Sequence, residues 1–395
     1  MYKIVEVTNR RLLKKFVKFP LELYKDNPYY VPEFISDEMK ALNPKKSVHM
    51  VDGDAECKCF LCYDDDKIVA RACGIISNLY NEKTNSKRIR LSRFDSIDSL
   101  EPARLVIEAV ENWGKERGMD TIHGPLDFND LGREGMLVDG FEYISTYETQ
   151  YNLPYYPKLI EQLGYQKEVD WLGYLLQVPS EPDTRNERIS NVVQKRLKVH
   201  EVKIKSNRWL IKNYYDQIFD LIDETYGSLY GTTPITERVR KSLLGQFKQI
   251  LDKDFISIIA DENEKLVGFG LGLPSIALAV QKSKGRLFPT GWIRILHSLH
   301  NVNTVDFSLI GIAKEYQDTG AIALIFHSIL SNLCKRKVKI AETNVQLEDN
   351  VKSIKLFDIY SPKFKCRRRC YVKSLNGEPI KFHKAITKQT KKETK

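Results

Sequence analysis

Six polar residues crowd one twelve-residue stretch: His123, Asp127, Asn129, Asp130, Arg133 and Glu134. No other segment is as dense in groups that bind or carry protons. An imidazole titrates near neutrality, and Gly124-Pro125 fixes the direction of the chain behind His123. Asp127 and Glu134 add carboxylates, and Tyr151, Tyr155 and Tyr156 follow soon after. General acid–base chemistry needs such a group within reach of the reacting proton. Glu342 is a second candidate, because it sits in an apolar strand where burial would raise its pKa toward that of a useful base. Asn344 lies two residues further on. A plain alternative stays open, since acids of this kind also cap helices and satisfy loops, and a lone histidine is more often structural than catalytic.

Cys57, Cys59 and Cys62 look briefly like metal ligands. Their spacing is not that of paired CxxC motifs, and alternation along a strand turns Cys62 away from the other two. No metal is expected. Seven cysteines, an odd number, without a visible secretion signal read as reduced thiols in a cytoplasmic protein.

The elements that must position these groups repeat. The first pass runs from the strand Tyr2 to Val7 through two helical stretches and a β-meander whose first turn is Asp64 to Lys67. The helix LEPARLVIEAVENWGKERGM then ends at Gly118, and the strand TIHGPLDF, a helix, a turn at Gly164 and a closing strand follow. After a polar connector near 179–190 the second pass repeats the order. It has a hairpin around Asp261 to Lys265, the strand TVDFSLIGIA, the helix AIALIFHSILSNLCKRK, and then strand, helix, strand. Two copies of one mixed α/β unit are the economical reading, with boundaries at 1–180 and 181–376 and a basic, disordered tail over 377–395.

Composition limits the function. Hydrophobic residues make up 42% of the 395, enough for packed cores. No apolar run reaches the roughly 18 residues of a membrane-spanning helix. The net charge of +10 is carried by Ser361 to Lys395, which holds 12 basic and 2 acidic residues, so the rest is neutral. A nucleic-acid binder would spread its positive charge over a folded face, and nucleic acid is not the expected partner.

Two segments of the second pass carry a resemblance. LIGIAKEYQDTGAIALI is similar to the pyrophosphate segment of the GNAT (acyl-CoA N-acyltransferase) superfamily, with Gln317 and Gly320 matching and Ile322 where that family has Gly or Ala. KIAETNVQLEDNVKSIKLF resembles its next strand and Asn-bearing helix, with Asn350 at the family position. The phrases FVKFPLELYKDNPYYVP, GPLDFNDLGREGMLVDGFE, YNLPYYPKLIEQLGYQKEVD and LGLPSIALAVQKSKGRLFPTGW also resemble a narrower group, the YghO-like proteins. Some of its members look like bacterial ceramide synthases. The resemblance implies tandem GNAT-like domains and N-acyl transfer from an acyl thioester, acyl-CoA, to a small-molecule or lipid amine. A long-chain (sphingoid) base is the sharpest version of that acceptor.

It also implies roles. Backbone groups of Gln317, Asp318, Thr319, Gly320 and Ala321 would hold the diphosphate, because amides at a helix start are free and favour anions. The strand residues Ile310, Gly311 and Ile312 would meet the thioester, and Asn350 would join the cofactor site. The family's acid tyrosine is replaced by Phe357, leaving Tyr360 as a stand-in. His123, Asp127, Glu134 and Glu342 are then the catalytic candidates. Asn129, Arg133, Tyr151, Tyr155, Tyr156 and Trp292 are expected to bind the acceptor. SIDSLEPARL, the corresponding loop of the first pass, has no glycine and is not expected to bind a nucleotide cofactor.

Lys265 to Val305 contains no acidic residue and five Lys or Arg. Within it, GRLFPTGWIRILHSLH places Trp292, Ile295, Leu296 and Leu299 on one helical face. Such a segment suits the inner, anionic face of a membrane, an acyl tunnel or an ordinary core helix. Two rival readings of the chain are a non-catalytic double-GNAT scaffold that binds lipid or a protein partner, favoured by Ile322 and Phe357, and nucleic-acid binding through Arg367 to Arg369 and the lysine tail, to which a transferase that uses aminoacyl-tRNA is related.

Overall fold

A computed structural model of the chain describes residues 1–181, 184–350 and 361–383. The first half supplies β1 (Tyr2–Glu6), α1 (Arg10–Leu23), α2 (Ile35–Ala41), β2 (Ala55–Asp64), β3 (Lys67–Ser77) and α3 (Asn78–Thr84). It continues with β4 (Arg88–Ser96), α4 (Leu100–Glu116), β5 (Thr121–Gly124), β6 (Met136–Asp139), α5 (Tyr156–Gln162) and β7 (Gln166–Gln177). The second half supplies α6 (Thr184–Leu197), β8 (Val199–Glu201), α7 (Asn207–Tyr226), α8 (Glu237–Phe247), β9 (Ile256–Asp261), β10 (Leu266–Pro274) and α9 (Ala277–Lys282). After these come α10 (Gly291–His300), β11 (Thr304–Ile312), α11 (Ile322–Lys335), β12 (Ile340–Thr343), β13 (Gln346–Leu347) and β14 (Lys363–Ser374).

Local chemistry marks several ends. The side chain of Asn9 accepts the Leu12 N–H at 3.0 Å to start α1, and Ser206 accepts that of Trp209 at 3.1 Å to start α7. Gly118, at φ +75°, lets the chain leave α4 in the left-handed region.

The strands form one mixed sheet in the order β1-β2-β3-β4-β5-β14-β7-β12-β11-β10-β9-β8, with β6 on β14 and β13 on β7. Each half contains one parallel pair, β4 with β5 and β11 with β12. The closing strands are exchanged. β14 of the second half lies between β5 and β7, while β7 of the first half lies between β14 and β12. The connector near residue 180 separates β7 from α6 in sequence, but strand pairing runs across it.

Helices cover the sheet through apolar clusters. α4 and α5 bury Val106, Ile107, Val110, Leu159 and Ile160 against the first half. α11 buries Leu324, Ile325, Ile329 and Leu333 against the second, each contributing roughly 1.5–3 kcal/mol. A Cβ on Gly270 would lie 2.4 Å from Ile325 Cγ2, so the glycine lets α11 approach the sheet. The chain does not leave the fold at Gly377. The Lys381 carbonyl accepts from Arg88, the His383 N–H donates to Glu168 at 3.3 Å, and the His383 ring lies 5.1 Å from Tyr230. The expected disorder therefore does not hold for 378–383, and 384–395 lie outside the described residues. No described helix is long and apolar enough to cross a membrane.

Candidate active site

β11 and β12 run parallel from Thr304–Phe307 against Ile340–Thr343 and then part. Asn344 makes the last links, its N–H to the Phe307 carbonyl at 2.9 Å and its amide Nδ2 to the Ser308 carbonyl at 3.2 Å. Beyond it the chain turns to pair with β7 as β13. The gap is a cavity of about 240 Å³ bordered by Ser308, Ile310, Tyr226, Glu148, Ile322 and Asn350, among others.

One end of the cavity meets the start of α11. Asp318 and Gly320 have φ of +61° and +90°, which shapes the loop into α11. A Cβ on Gly320 would come no closer than 3.7 Å to any neighbour, so its conformation, not crowding, calls for glycine. Among the described residues the N–H groups of Gly320 and Ile322 have no hydrogen-bond partner. The Thr319 carbonyl accepts from Arg196 of α6, and Gln317 donates its side-chain N–H to the Ile312 carbonyl at 3.2 Å. Ile322 lines the cavity wall and packs against the α11 core cluster.

Within the cavity Glu148 is bonded to Ser308, whose hydroxyl lies 3.2 Å from both carboxylate oxygens. Burial raises its pKa, with the Ser308 bond opposing. Tyr226 occupies the open edge of β11. It accepts the Ile310 N–H at 3.1 Å and donates to the Ile310 carbonyl at 3.0 Å, and burial pushes its phenol up to about 12. Glu134 lines the cavity with Oε2 unpartnered among the described residues, and burial, reinforced by Asp130, raises its pKa well above the usual carboxylate range.

The structure scatters the dense stretch of the first half. His123 is fully buried outside the cavity, 2.6 Å from the Tyr230 hydroxyl, and burial together with Arg88 and Arg90 drives its pKa well down. The Tyr230 hydroxyl donates to Glu168 at 2.7 Å, and Glu168 also pairs with Arg88 at 2.7 Å. Asp127 is tied to Arg93 at 2.8 Å. Asn129 accepts the Leu131 N–H, and Arg133 donates to the Tyr147 and Val31 carbonyls. Of its six polar residues, only Asp130 and Glu134 line the cavity.

Tyr151 donates to the Phe141 carbonyl, Tyr155 to that of Ser96, and Tyr156 meets Asp95 and the Ser96 N–H. These tyrosines knit the first half together away from the cavity. Glu342 is paired with Lys365, beside Asp306, whose pKa burial and the Glu342 charge raise well above the ordinary range. Ile310 and Asn350 border the cavity, while the Ile310 amide is already held by Tyr226. Phe357 and Tyr360 lie outside the described residues. Glu148 and Tyr226 went unremarked in sequence, because nothing local distinguishes them and Ser308 lies 160 residues from Glu148.

Trp292 sits on exposed α10 and donates to the Pro289 carbonyl at 2.9 Å. Ile295 and Leu299 turn inward to the cluster of Val31, Ile276 and Val280, while Trp292, Ile293 and Leu296 face out. The four residues share one helical face, of which the Ile295 and Leu299 edge packs inward and the Trp292 and Leu296 edge is exposed.

In the first half the corresponding gap is filled. Arg93 pairs with Glu38 at 2.9 Å and with Asp127, and Arg71 pairs with Asp95 at 2.7 Å, leaving a crevice of about 20 Å³. Cys73 of β3 faces Cys59, so the thiols of Cys57, Cys59 and Cys73 lie within 4.8 Å of one another. A second group, His123, Glu168 and Cys370, also has metal-ligand types, but Arg88 already meets the charge of Glu168.

Solved structures share this architecture. A tandem GNAT protein from the clavulanic acid biosynthesis pathway superposes with a TM-score of 0.54 at 10% identity, over 96% of this chain and 100% of that one. The fold is that of a tandem GNAT protein. A GCN5-related N-acetyltransferase from Sphaerobacter thermophilus gives 0.52 at 11% identity, over 94% and 96%. In sequence, Protein YghO of Escherichia coli is 27% identical over 355 residues, 87% of each chain. The bacterial ceramide synthase of Caulobacter vibrioides is 24% identical over 321 residues, 80% of this chain and 81% of that one. These relatives match the YghO-like group of GNAT proteins that the sequence resembles. No protein-family model matches the chain.

Proposed function

We propose that the protein is an N-acyltransferase that moves an acyl group from acyl-CoA to an amine. The observation that carries this reading is the parting of β11 from β12 beside two unpartnered amides at the start of α11, with Glu148 in the same cavity. The amides of Gly320 and Ile322 would take the diphosphate. The pantetheine arm would pair with Ile310 once Tyr226 yields its two bonds. Glu148 would accept the proton of the attacking ammonium. The amine nitrogen then bonds to the thioester carbon, the C–S bond breaks, and the second proton leaves the nitrogen for the thiolate, to which the Tyr226 hydroxyl, kept protonated by its high pKa, donates a hydrogen bond.

For the acceptor we favour a long-chain base, supported by the Caulobacter relative named a bacterial ceramide synthase. We also propose contact with an anionic membrane. Leu278, Phe288, Trp292, Ile293 and Leu296 form an exposed apolar surface, Phe288 being 76% exposed. Lys282, Lys284, Arg286 and Arg294 accompany it, in a segment without an acid. Apolar side chains flanked by cations fit anionic headgroups.

The test is to incubate the protein with acyl-CoA and a panel of amines, including a long-chain base, and to look for the amide by mass spectrometry. Folded protein that makes no amide with any acceptor would defeat the reading. The hold of Tyr226 on Ile310 favours one rival, a non-catalytic scaffold, and that rival predicts no saturable acyl-CoA binding by calorimetry.

A further inference from the structure

We propose that a second, apolar cavity receives the alkyl chain of a substrate whose reacting head lies in the cleft between β11 and β12. The proposal deepens the acyltransferase reading and rests on it for the location of the head. The cavity, of about 90 Å³, lies between α7, α8 and the strands β9 to β11. Ile211 and Ile218 of α7, Leu243 and Leu244 of α8, and Phe269 and Leu271 of β10 form much of its wall. Of its fourteen lining residues, Tyr215 alone carries a polar side-chain atom. That hydroxyl is buried without a partner among the described residues.

The position of the cavity carries the argument. Leu131 and Leu309 border both this cavity and the cleft that holds Glu148, Ser308 and Tyr226. A single layer of aliphatic side chains therefore separates a polar reacting centre from a greasy chamber. An unfilled apolar void costs a fold stability, and larger side chains at half-buried Leu243 or Leu244 would close this one. Apart from the Tyr215 hydroxyl, its walls offer an alkyl chain dispersion contacts and nothing to hydrogen-bond, which suits methylenes. The chain can come from the acyl donor or from the amine acceptor, and the chemistry of the cavity is the same for both.

Calorimetry on the full chain separates the outcomes. CoA, acetyl-CoA, octanoyl-CoA and dodecylamine are titrated into the wild type and into Leu244→Trp, with Leu244→Phe as the milder variant and thermal melting as the check on folding. If the donor chain is the occupant, octanoyl-CoA binds far more tightly than acetyl-CoA, up to about fourfold for each methylene buried. Leu244→Trp then removes that difference and leaves acetyl-CoA unchanged. If the acceptor chain is the occupant, dodecylamine loses affinity in the variant and the acyl-CoA series does not. Alkyl binding sensitive to Leu244→Trp in a protein that ignores CoA would sustain the cavity and defeat the acyltransferase reading. CoA binding with neither ligand series affected by Leu244→Trp or Leu244→Phe would overturn the cavity and leave that reading intact.

Discussion

The Tyr226 hydroxyl satisfies both main-chain groups of Ile310, accepting its N–H at 3.1 Å and donating to its carbonyl at 3.0 Å. A side chain thus closes the strand edge on which a donor's amide arm would pair. Tyr226→Phe removes the competitor, at about 1 kcal/mol for each hydrogen bond. CoA should then bind about thirtyfold more tightly by calorimetry, while kcat drops because the leaving sulfur loses its donor. Weaker CoA binding in this variant would show that Tyr226 supports the donor and does not compete with it.

Glu148 must be ionised to accept a proton, and burial raises its pKa. Activity should therefore climb with pH along a limb that lies above the ordinary glutamate range. Glu148→Gln should abolish that limb and lower kcat/KM by about a hundredfold or more. Ser308→Ala removes the bond that favours the carboxylate and should move the limb to higher pH. An unmoved profile in both variants would place the base elsewhere.

The open amides at Gly320 and Ile322 make a separate prediction. Gly320→Trp should abolish CoA binding by covering the start of α11, and it should lower the melting temperature slightly because φ there is +90°. Unchanged CoA affinity would move the diphosphate away from this loop.

Phe288 and Trp292 are 76% and 45% exposed, so replacing both with serine should leave thermal stability nearly unchanged. Co-sedimentation with vesicles rich in an anionic phospholipid should fall several-fold, and binding to the wild type should weaken with salt. Equal sedimentation of wild type and double variant would remove this surface from consideration.

Arg93 is buried between Glu38 and Asp127. Arg93→Ala strands two carboxylates and should cost about 3–5 kcal/mol in chemical denaturation. Its ion pairs lie in the first half, so CoA affinity of the folded protein should not change. A loss of CoA binding at full stability would reveal a role for that crevice.

Sequence periodicity and turn chemistry carried much of the fold. The hairpin at Asp64 to Lys67, the stop at Gly118 and the turn at Gly164 stand where local patterns place them. The exchange of β7 and β14 was not legible, because a strand's partner across a hundred or more residues leaves no mark on its own alternation. The site was read least well for the same reason. Density of polar residues singled out His123 and Asp127, which the fold spends on Tyr230 and Arg93. Glu148 gains its chemistry from a serine on β11, and nothing around it in the chain announces that meeting.

The interleaving of β14 between β5 and β7 also bears on how the protein is made. During synthesis the first half emerges with β5 lacking a permanent neighbour on one side, and it must wait for nearly two hundred further residues. The ladders of β14 with β5, β6 and β7 therefore close last, after both halves have left the ribosome.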